Sequence, residues 1–190
     1  MGLGSEINEW DDIEWFDPAD IPAATQTPYV DALLGWLRDH PLWHPDVETK
    51  VLLVDLDNLR AEPVRLRARI EATVALARDA DYAAFAGQVG SVRRARPHLA
   101  EFADGALAVG NAGDEADWAL RDAAMAAEGR TLQFVVVSND GIFADLAERG
   151  ALTILSPGAK ALSDRLRDAA ERVVDMAEIE QSVGAEAASS

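Results

Sequence analysis

Two spacings of hydrophobic residues run along the chain, and they predict alternating strands and helices. Three continuous apolar runs, at residues 51–56, 133–138 and 151–155, are typical of strands covered on both faces. Weaker runs at 81–86 and 106–109 bring the predicted strands to five. Helical spacing of apolar residues predicts a helix after each strand. These helices cover residues 63–80, 92–103, 113–129, 141–150 and 161–176.

This alternation predicts an α/β fold with a Rossmann-like parallel sheet of five strands. Parallel strands joined by helices bury the sheet between two helix layers, which gives a three-layer αβα sandwich. In such sheets, ligands bind beyond the carboxyl ends of the strands, near the point where the strand order reverses. Functional residues are therefore expected in the loops that follow the strands.

Changes in composition divide the chain into four parts. Before the first strand, Pro28 favours the start of a helix and Pro41 its end. The last residues are small and polar, which is typical of a disordered terminus. The four parts are an acidic, aromatic arm (1–26), a helix and linker (27–49), the α/β domain (50–176) and a tail predicted to be disordered (177–190).

Composition narrows the class of protein. The chain has 190 residues, enough for one domain with short appendages, and no cysteine, which excludes disulfides and thiolate metal sites. No apolar run approaches the roughly 18 residues that a membrane span needs. The acidic amino-terminal residues contain no hydrophobic signal core. We therefore expect a cytoplasmic protein that does not associate with a membrane.

Charge constrains the partners. The chain has 34 acidic and 17 basic residues, a formal net charge of −17. Such a charge opposes nonspecific attraction to nucleic acid, so nucleic-acid binding requires a local site. The acidic arm also carries Trp10, Trp15 and Phe16, which a freely solvated arm would not need. These aromatic residues either pack on the rest of the chain or dock on a basic surface. Such a surface could belong to a protein partner or be formed by the chain's own arginines. A homodimer is also left open.

Acidic and amide side chains follow three of the predicted strands. Because the carboxyl ends of parallel strands meet at one edge of the sheet, these side chains are expected to converge. Crowded carboxylates raise one another's pKa unless a cation joins them, and oxygen ligands suit Mg²⁺ or Mn²⁺. Such a cation would support the hydrolysis of a phosphodiester. The residues are Asp55, Asp57 and Asn58 after the first strand, Asp114 and Asp117 after the third, and Ser138, Asn139 and Asp140 after the fourth.

Each of these residues also has a purely structural interpretation. Asp114 and Asp140 stand where helix N-caps are expected, with Asp117 completing a capping box after Asp114. Asn58 is typical of a turn. Convergence at one edge is the stronger signal, since N-caps need not gather there.

Arginines follow the second predicted strand at the same edge. Arg93, Arg94 and Arg96 lie in the helix after that strand, and Arg60 comes shortly after Asn58. Arginines beside a metal can hold phosphates even on an acidic protein, in a salt-sensitive way. The alternative is a basic helix face that only contacts solvent.

Four segments carry a resemblance to the NYN-domain family of PIN-like ribonucleases, in its actinobacterial-type branch. VLLVDLDNL resembles the first family motif, a hydrophobic strand followed by Asp, two residues, Asn and Leu. EADWAL is similar to the second motif, and FVVVSNDGIFADLAERG to the third, in which a strand ends in Ser-Gly-Asp. LSPGAKALSDRLRDAAERVV resembles the segment that follows in actinobacterial members. The likeness covers residues 50–176.

The resemblance implies a sheet of order 3-2-1-4-5 and a metal-dependent ribonuclease with bound Mg²⁺ or Mn²⁺. By position, Asp55, Asp117 and Asp140 would bind the metal, and Asp57 and Asp114 could add charge. Asn58 would orient Asp55 or a water molecule and completes the catalytic set. The RNA, expected to be single-stranded, would contact Arg60, Arg93, Arg94, Arg96, Ser138 and Asn139.

Two departures from the family pattern support an alternative. Ile142 stands where many relatives have a further Asp, and Asn139 replaces the usual Gly. With one ligand fewer, the protein could be a degenerate NYN domain that binds RNA or a protein without cutting. A third reading is a phosphatase that resembles the haloacid dehalogenases, with Asp55 as nucleophile and Asp57 as its acid/base partner. That mechanism needs a lysine and a distal acidic pair, and the available candidates lie too close together in the chain.

Overall fold

The computed structural model describes residues 23–110 and 114–187, in which six parallel strands form one sheet of order β3-β2-β1-β4-β5-β6. The strands are β1 (Thr49–Asp55), β2 (Tyr82–Gln88), β3 (Leu107–Val109), β4 (Leu132–Val137), β5 (Ala151–Ser156) and β6 (Arg172–Asp175). The α-helices are α1 (Ala23–Asp39), α2 (Pro63–Arg78), α3 (Val89–Ala95), α4 (Glu115–Ala126), α5 (Asp164–Ala169) and α6 (Met176–Ala187). A 3-10 helix, Gly141–Glu148, follows β4.

The apolar runs form the central strands because both faces of the sheet are covered. Side chains alternate along β1, so Leu52 and Val54 pack into one core and Val51 and Leu53 into the other. The first core lies under α1, α2, α3 and α6, and the second under α4, the 3-10 helix and α5. β1 and β4 pair in register from Thr49 opposite Leu132 onward, and both are buried throughout nearly all of their length.

The predicted fold class is confirmed: the chain is an α/β protein whose parallel sheet lies between two helix layers, and the predicted order of the first five strands is correct. The predicted strand count is too low by one. Residues 161–176 were expected to form one helix, whereas α5 ends at Ala169 and residues 172–175 pair with β5 as β6. The helical stripe was misleading because an edge strand depends on pairing with a distant strand, which local spacing does not encode.

The carboxyl-terminal residues also differ from the expectation of a disordered tail, because α6 spans Met176–Ala187. Met176 and Glu180 of this helix are buried. Glu180 accepts two hydrogen bonds from the guanidinium of Arg69 in α2, from Nε at 2.6 Å and from Nη2 at 2.8 Å. This contact between Arg69 and Glu180 fixes α6 against α2, although the composition of α6 is typical of a polar tail.

The aromatic residues of the arm, Trp10, Trp15 and Phe16, lie outside the described residues. α1 begins at Ala23, slightly before the predicted start. Within residues 23–110 and 114–187, no helix is both long enough and apolar enough to span a membrane.

Candidate functional site

The strand order reverses between β1 and β4. From β1 the chain moves outward to β2 and β3 and then crosses to β4 on the other side of β1. This arrangement opens a crevice beyond the carboxyl ends of the two central strands, the usual ligand site of such sheets. Asp55 is the last residue of β1, and Ser138 directly follows the last residue of β4.

Asp55 is the buried centre of the site, with only 2% of its surface exposed. Its Oδ1 accepts hydrogen bonds from the backbone N–H of Asp57 at 2.9 Å and of Asn58 at 3.4 Å. Its Oδ2 accepts from the Asn58 amide and, at 3.0 Å, from the Ser138 hydroxyl. Burial raises the pKa of Asp55 above its usual value, while these hydrogen bonds act in the opposite direction. The bonds therefore fix the orientation of Asp55 and favour its charged form.

Asp57 is turned toward β2. Its Oδ2 accepts a hydrogen bond from the backbone N–H of Gln88 at 2.9 Å. Its Oδ1 is buried and, among the described residues, has no hydrogen-bond partner. Burying an unpaired carboxylate oxygen is unfavourable, and a cation or a water-bound cation would relieve it.

Asp117, in the first turn of α4, has the most strongly perturbed carboxyl of the site. Burial, and after it the charges of Asp55, Asp140, Asp114 and Asp57, together raise its pKa from 3.8 to about 7. Carboxylates that perturb one another in this way are close enough to repel through a medium of low dielectric constant. The acidic residues from three separate loops are therefore near enough for their charges to act on Asp117. We call these five residues the acidic cluster.

The remaining acidic residues have partly structural roles. Oδ1 of Asp140 accepts a hydrogen bond from the backbone N–H of Ile142 at 3.0 Å, so Asp140 caps the 3-10 helix. Its own N–H donates to the Ser138 hydroxyl at 3.1 Å. Asp114 precedes α4 and is exposed, but its side chain makes no capping hydrogen bond within the described part of the chain.

The donor chemistry of the acidic cluster suits a hard divalent cation, because the donors are oxygens and their charge is unbalanced. Asp57 Oδ1 lacks a partner within the described part of the chain and the pKa of Asp117 is raised, and a cation would relieve both. The carboxylates of Asp55, Asp57 and Asp140 accept hydrogen bonds from N–H or hydroxyl donors. In residues 23–110 and 114–187, no three acidic or histidine side chains are arranged around one point as metal ligands.

The four arginines predicted to contact RNA differ in their position and in their partners. Arg93 and Arg94 are exposed in α3, which begins at the carboxyl end of β2, and Arg94 donates to the Ser91 hydroxyl at 3.1 Å. Arg96 is paired with Asp104 at 2.9 Å, and Arg60 is exposed. Arg93 and Arg94 therefore lie on the β2 side of the same edge, whereas Arg60 follows β1.

Ser138 and Asn139 differ from those arginines because they are held by the fold. Ser138 is fully buried and its hydroxyl reaches Asp55. Asn139 accepts a hydrogen bond from the Ser156 hydroxyl at 2.6 Å, which ties the end of β4 to the end of β5. Sequence reasoning missed Ser156, although its place directly after the fifth predicted strand was a usable signal.

No family model, curated relative or solved structure matches this chain. The resemblance to NYN domains therefore remains a prediction. Any function has to be inferred from the side chains at the carboxyl edge of the sheet.

Proposed function

We propose that this protein is a metal-dependent ribonuclease of the NYN type, which hydrolyses phosphodiester bonds of single-stranded RNA at the acidic cluster. The observation that carries the proposal is the acidic cluster itself: Asp55 is buried at the end of β1, Oδ1 of Asp57 is buried without a partner among the described residues, and burial and nearby carboxylates raise the pKa of Asp117 to about 7. Several acids in electrostatic contact at a strand-order reversal are costly for stability, and a catalytic cation site is a frequent reason for them.

Asp55, Asp117 and Asp140 would hold Mg²⁺ or Mn²⁺, with Asp57 and Asp114 adding negative charge. When bound, such a cation lowers the pKa of a water molecule and offsets charge on the phosphate. Asp55 contributes a fixed carboxylate, because Asn58 and Ser138 both donate to its Oδ2. Asp117 contributes a carboxyl that exchanges its proton near neutral pH, so cation binding and proton release are coupled there.

RNA would approach along the exposed arginines of the β2 side. Arg60, Arg93 and Arg94 are exposed near the ends of β1 and β2, where they can contact phosphates that pass the acidic cluster. The rest of the protein repels RNA because the net charge is −17. Binding should therefore weaken steeply as salt is added, since it depends on a few local contacts.

The test is cleavage of a pool of single-stranded RNA in Mg²⁺ or Mn²⁺, with EDTA as the metal-free control. Asp117→Asn and Asp140→Asn should both reduce cleavage to background. Asp122→Asn is the matched control, because it removes one charge from an exposed position of α4, the helix that carries Asp117. If wild type and Asp140→Asn leave RNA equally intact in both metals, the nuclease proposal is wrong.

A second candidate is a domain that binds RNA or a protein without cutting. Two features of the 3-10 helix favour it: Oδ1 of Asp140 caps the helix by accepting from Ile142 N–H, and Ile142 packs on the core where many NYN domains have a further acid. Binding of RNA by wild type, without cleavage in either metal, would support this candidate over the nuclease.

A further inference from the structure

Trp118 is exposed beside the acidic cluster. It follows Asp117 in the first turn of α4, and 51% of its surface is exposed. Large aromatic side chains stabilise a fold mainly by burial, so a tryptophan with half of its surface in solvent contributes little to this core. An aromatic ring held at the edge of a charged crevice is a candidate contact for a ligand.

Two arginines are connected to this ring, one by a direct contact and the other through a shared carboxylate. The guanidinium of Arg121 lies over the Trp118 ring, 5.3 Å from its centroid. Nη2 of Arg121 donates to Oδ2 of Asp145 at 2.8 Å, and Arg165 donates to Oδ1 of the same carboxylate. Two guanidinium groups thus share one carboxylate, which leaves a local positive charge on a strongly acidic protein.

These residues lie along the edge that carries the acidic cluster. Arg121 is four residues after Asp117 and three after Trp118, so both are its neighbours on the surface of α4. Asp145 belongs to the 3-10 helix that Asp140 caps, and Arg165 belongs to α5, which packs beside that helix. The three elements form the helix layer opposite to α3 and its arginines.

We propose that Trp118, Arg121 and Arg165 form a subsite for one nucleotide of a single-stranded RNA. An unpaired base stacks on the exposed part of the Trp118 ring, and an adjacent phosphate accepts from the guanidinium N–H groups of Arg121 and Arg165 that are not bonded to Asp145. A base inside a duplex is already stacked on its neighbours, so the subsite selects single strands. This inference rests on the proposed function, and it extends the RNA path from α3 to the helix layer on the other face of the sheet.

The test measures binding of a labelled 12-residue oligoadenylate by fluorescence anisotropy, in EDTA and at low salt, so that no divalent cation supports cutting. Trp118→Ala should weaken binding by about 5- to 150-fold, the range typical of base–aromatic stacking, and Trp118→Phe should retain most of the affinity. Met125→Ala is the matched control, because Met125 is 55% exposed at the opposite end of α4. Circular dichroism and thermal unfolding establish that each variant is folded.

An abasic oligomer of the same length separates stacking from general weakening. Wild type and Trp118→Ala should bind it equally, since it has no base to stack. Arg165→Gln should reduce the slope of log affinity against log salt by about 0.7, as expected for one lost contact to a single-stranded phosphate. The proposal is overturned if wild type does not bind oligoadenylate, if Trp118→Ala binds it as tightly as wild type, or if Trp118→Ala loses equal affinity for both oligomers.

Failure of this subsite and failure of the nuclease proposal give different results. If RNA is cut but Trp118→Ala binds and cuts like wild type, the subsite is wrong and the nuclease proposal stands. If oligoadenylate binds through Trp118 but no RNA is cut in Mg²⁺ or Mn²⁺, the subsite stands and the protein is a binding module.

Discussion

The hydroxyl of Ser138 donates a hydrogen bond to Oδ2 of Asp55 over 3.0 Å, although the two residues lie 83 positions apart in the chain. They close the carboxyl ends of β4 and β1, the two strands between which the strand order reverses. Both residues are almost completely buried. This bond therefore connects the acidic cluster to the two central strands of the sheet. We expect its loss to affect both the orientation of Asp55 and the stability of the fold.

We expect Ser138→Ala to lower the free energy of unfolding by about 1–3 kcal/mol, because a buried carboxylate loses a donor. The pKa of Asp55 should rise further, since the Ser138 bond is one of the contacts that lower it. Urea denaturation at neutral pH measures the loss. Ser182→Ala is the control, because Ser182 is exposed on α6. Equal stability of Ser138→Ala and wild type would show that the bond contributes nothing.

The pKa of Asp117 predicts a dependence of stability on pH. Because this pKa is raised from 3.8 to about 7, the folded state binds more protons than the unfolded state between those values. The contribution of Asp117 to stability therefore falls as pH rises through that window and stays at its lowest above it. Asp117→Asn removes this titration, so we expect the variant to gain stability relative to wild type between about pH 5 and about pH 8. The gain should be on the order of 1 kcal/mol, after allowance for the solvent screening of a half-buried group.

Urea denaturation in EDTA at the two pH values measures that gain. Asp122→Asn should show no comparable trend, because Asp122 is exposed on the same helix. A difference between wild type and Asp117→Asn that does not change with pH would contradict the raised pKa.

The central strands could be predicted from sequence because burial on both faces leaves a continuous apolar run, as in β1 and β4. β6 could not be predicted in this way. Its residues 172–175 continue an apparent helical stripe, and only pairing with β5, which begins with Arg172 opposite Thr153, makes them a strand. Residues 176–187 likewise form α6, whose Glu180 is buried against Arg69 of a distant helix. Both are consequences of contacts distant in sequence.

The candidate site, like the fold, could be predicted only in part from the sequence. That Asp55, Asp117 and Asp140 belong to the same edge of the sheet could be predicted, because each follows a strand, but among the described residues they are not gathered as ligands around one point. The orientation of each carboxylate was not accessible, because it is set by donors from other elements, as in the bond from Gln88 N–H to Asp57. Trp118 was overlooked because its exposure depends on which face of α4 meets the sheet.

At Gly150, a side chain is expected to destabilise the fold. A Cβ there would overlap the carbonyl oxygen of Leu132 and lie 2.8 Å from its carbonyl carbon, so the start of β5 would have to move away from β4. We expect Gly150→Ala to lower the free energy of unfolding by about 1–3 kcal/mol. Gly90→Ala is the control, because a Cβ at Gly90 in α3 has no atom within 4 Å. Thermal unfolding should show a lower midpoint for Gly150→Ala and an unchanged or higher one for Gly90→Ala, which gains helix propensity. Equal midpoints for the two variants would argue against the close approach.

The buried pair of Arg69 and Glu180 predicts that its two single replacements are worse than the double one. The side chain of Arg69 is 7% exposed and that of Glu180 1%, so removing either partner leaves a buried charge without its counterion. We expect Glu180→Gln and Arg69→Met each to cost about 3–5 kcal/mol, and Arg69→Met combined with Glu180→Leu to cost less than either.

Glu101→Gln provides the matched control, because Glu101 accepts the same two-point contact from Arg78 at an exposed position. Solvent already screens that pair, so its loss should change stability much less. Urea denaturation of the four variants measures the difference. If Glu180→Gln costs no more than Glu101→Gln, α6 is held by its apolar contacts alone, and the buried pair contributes only to its orientation.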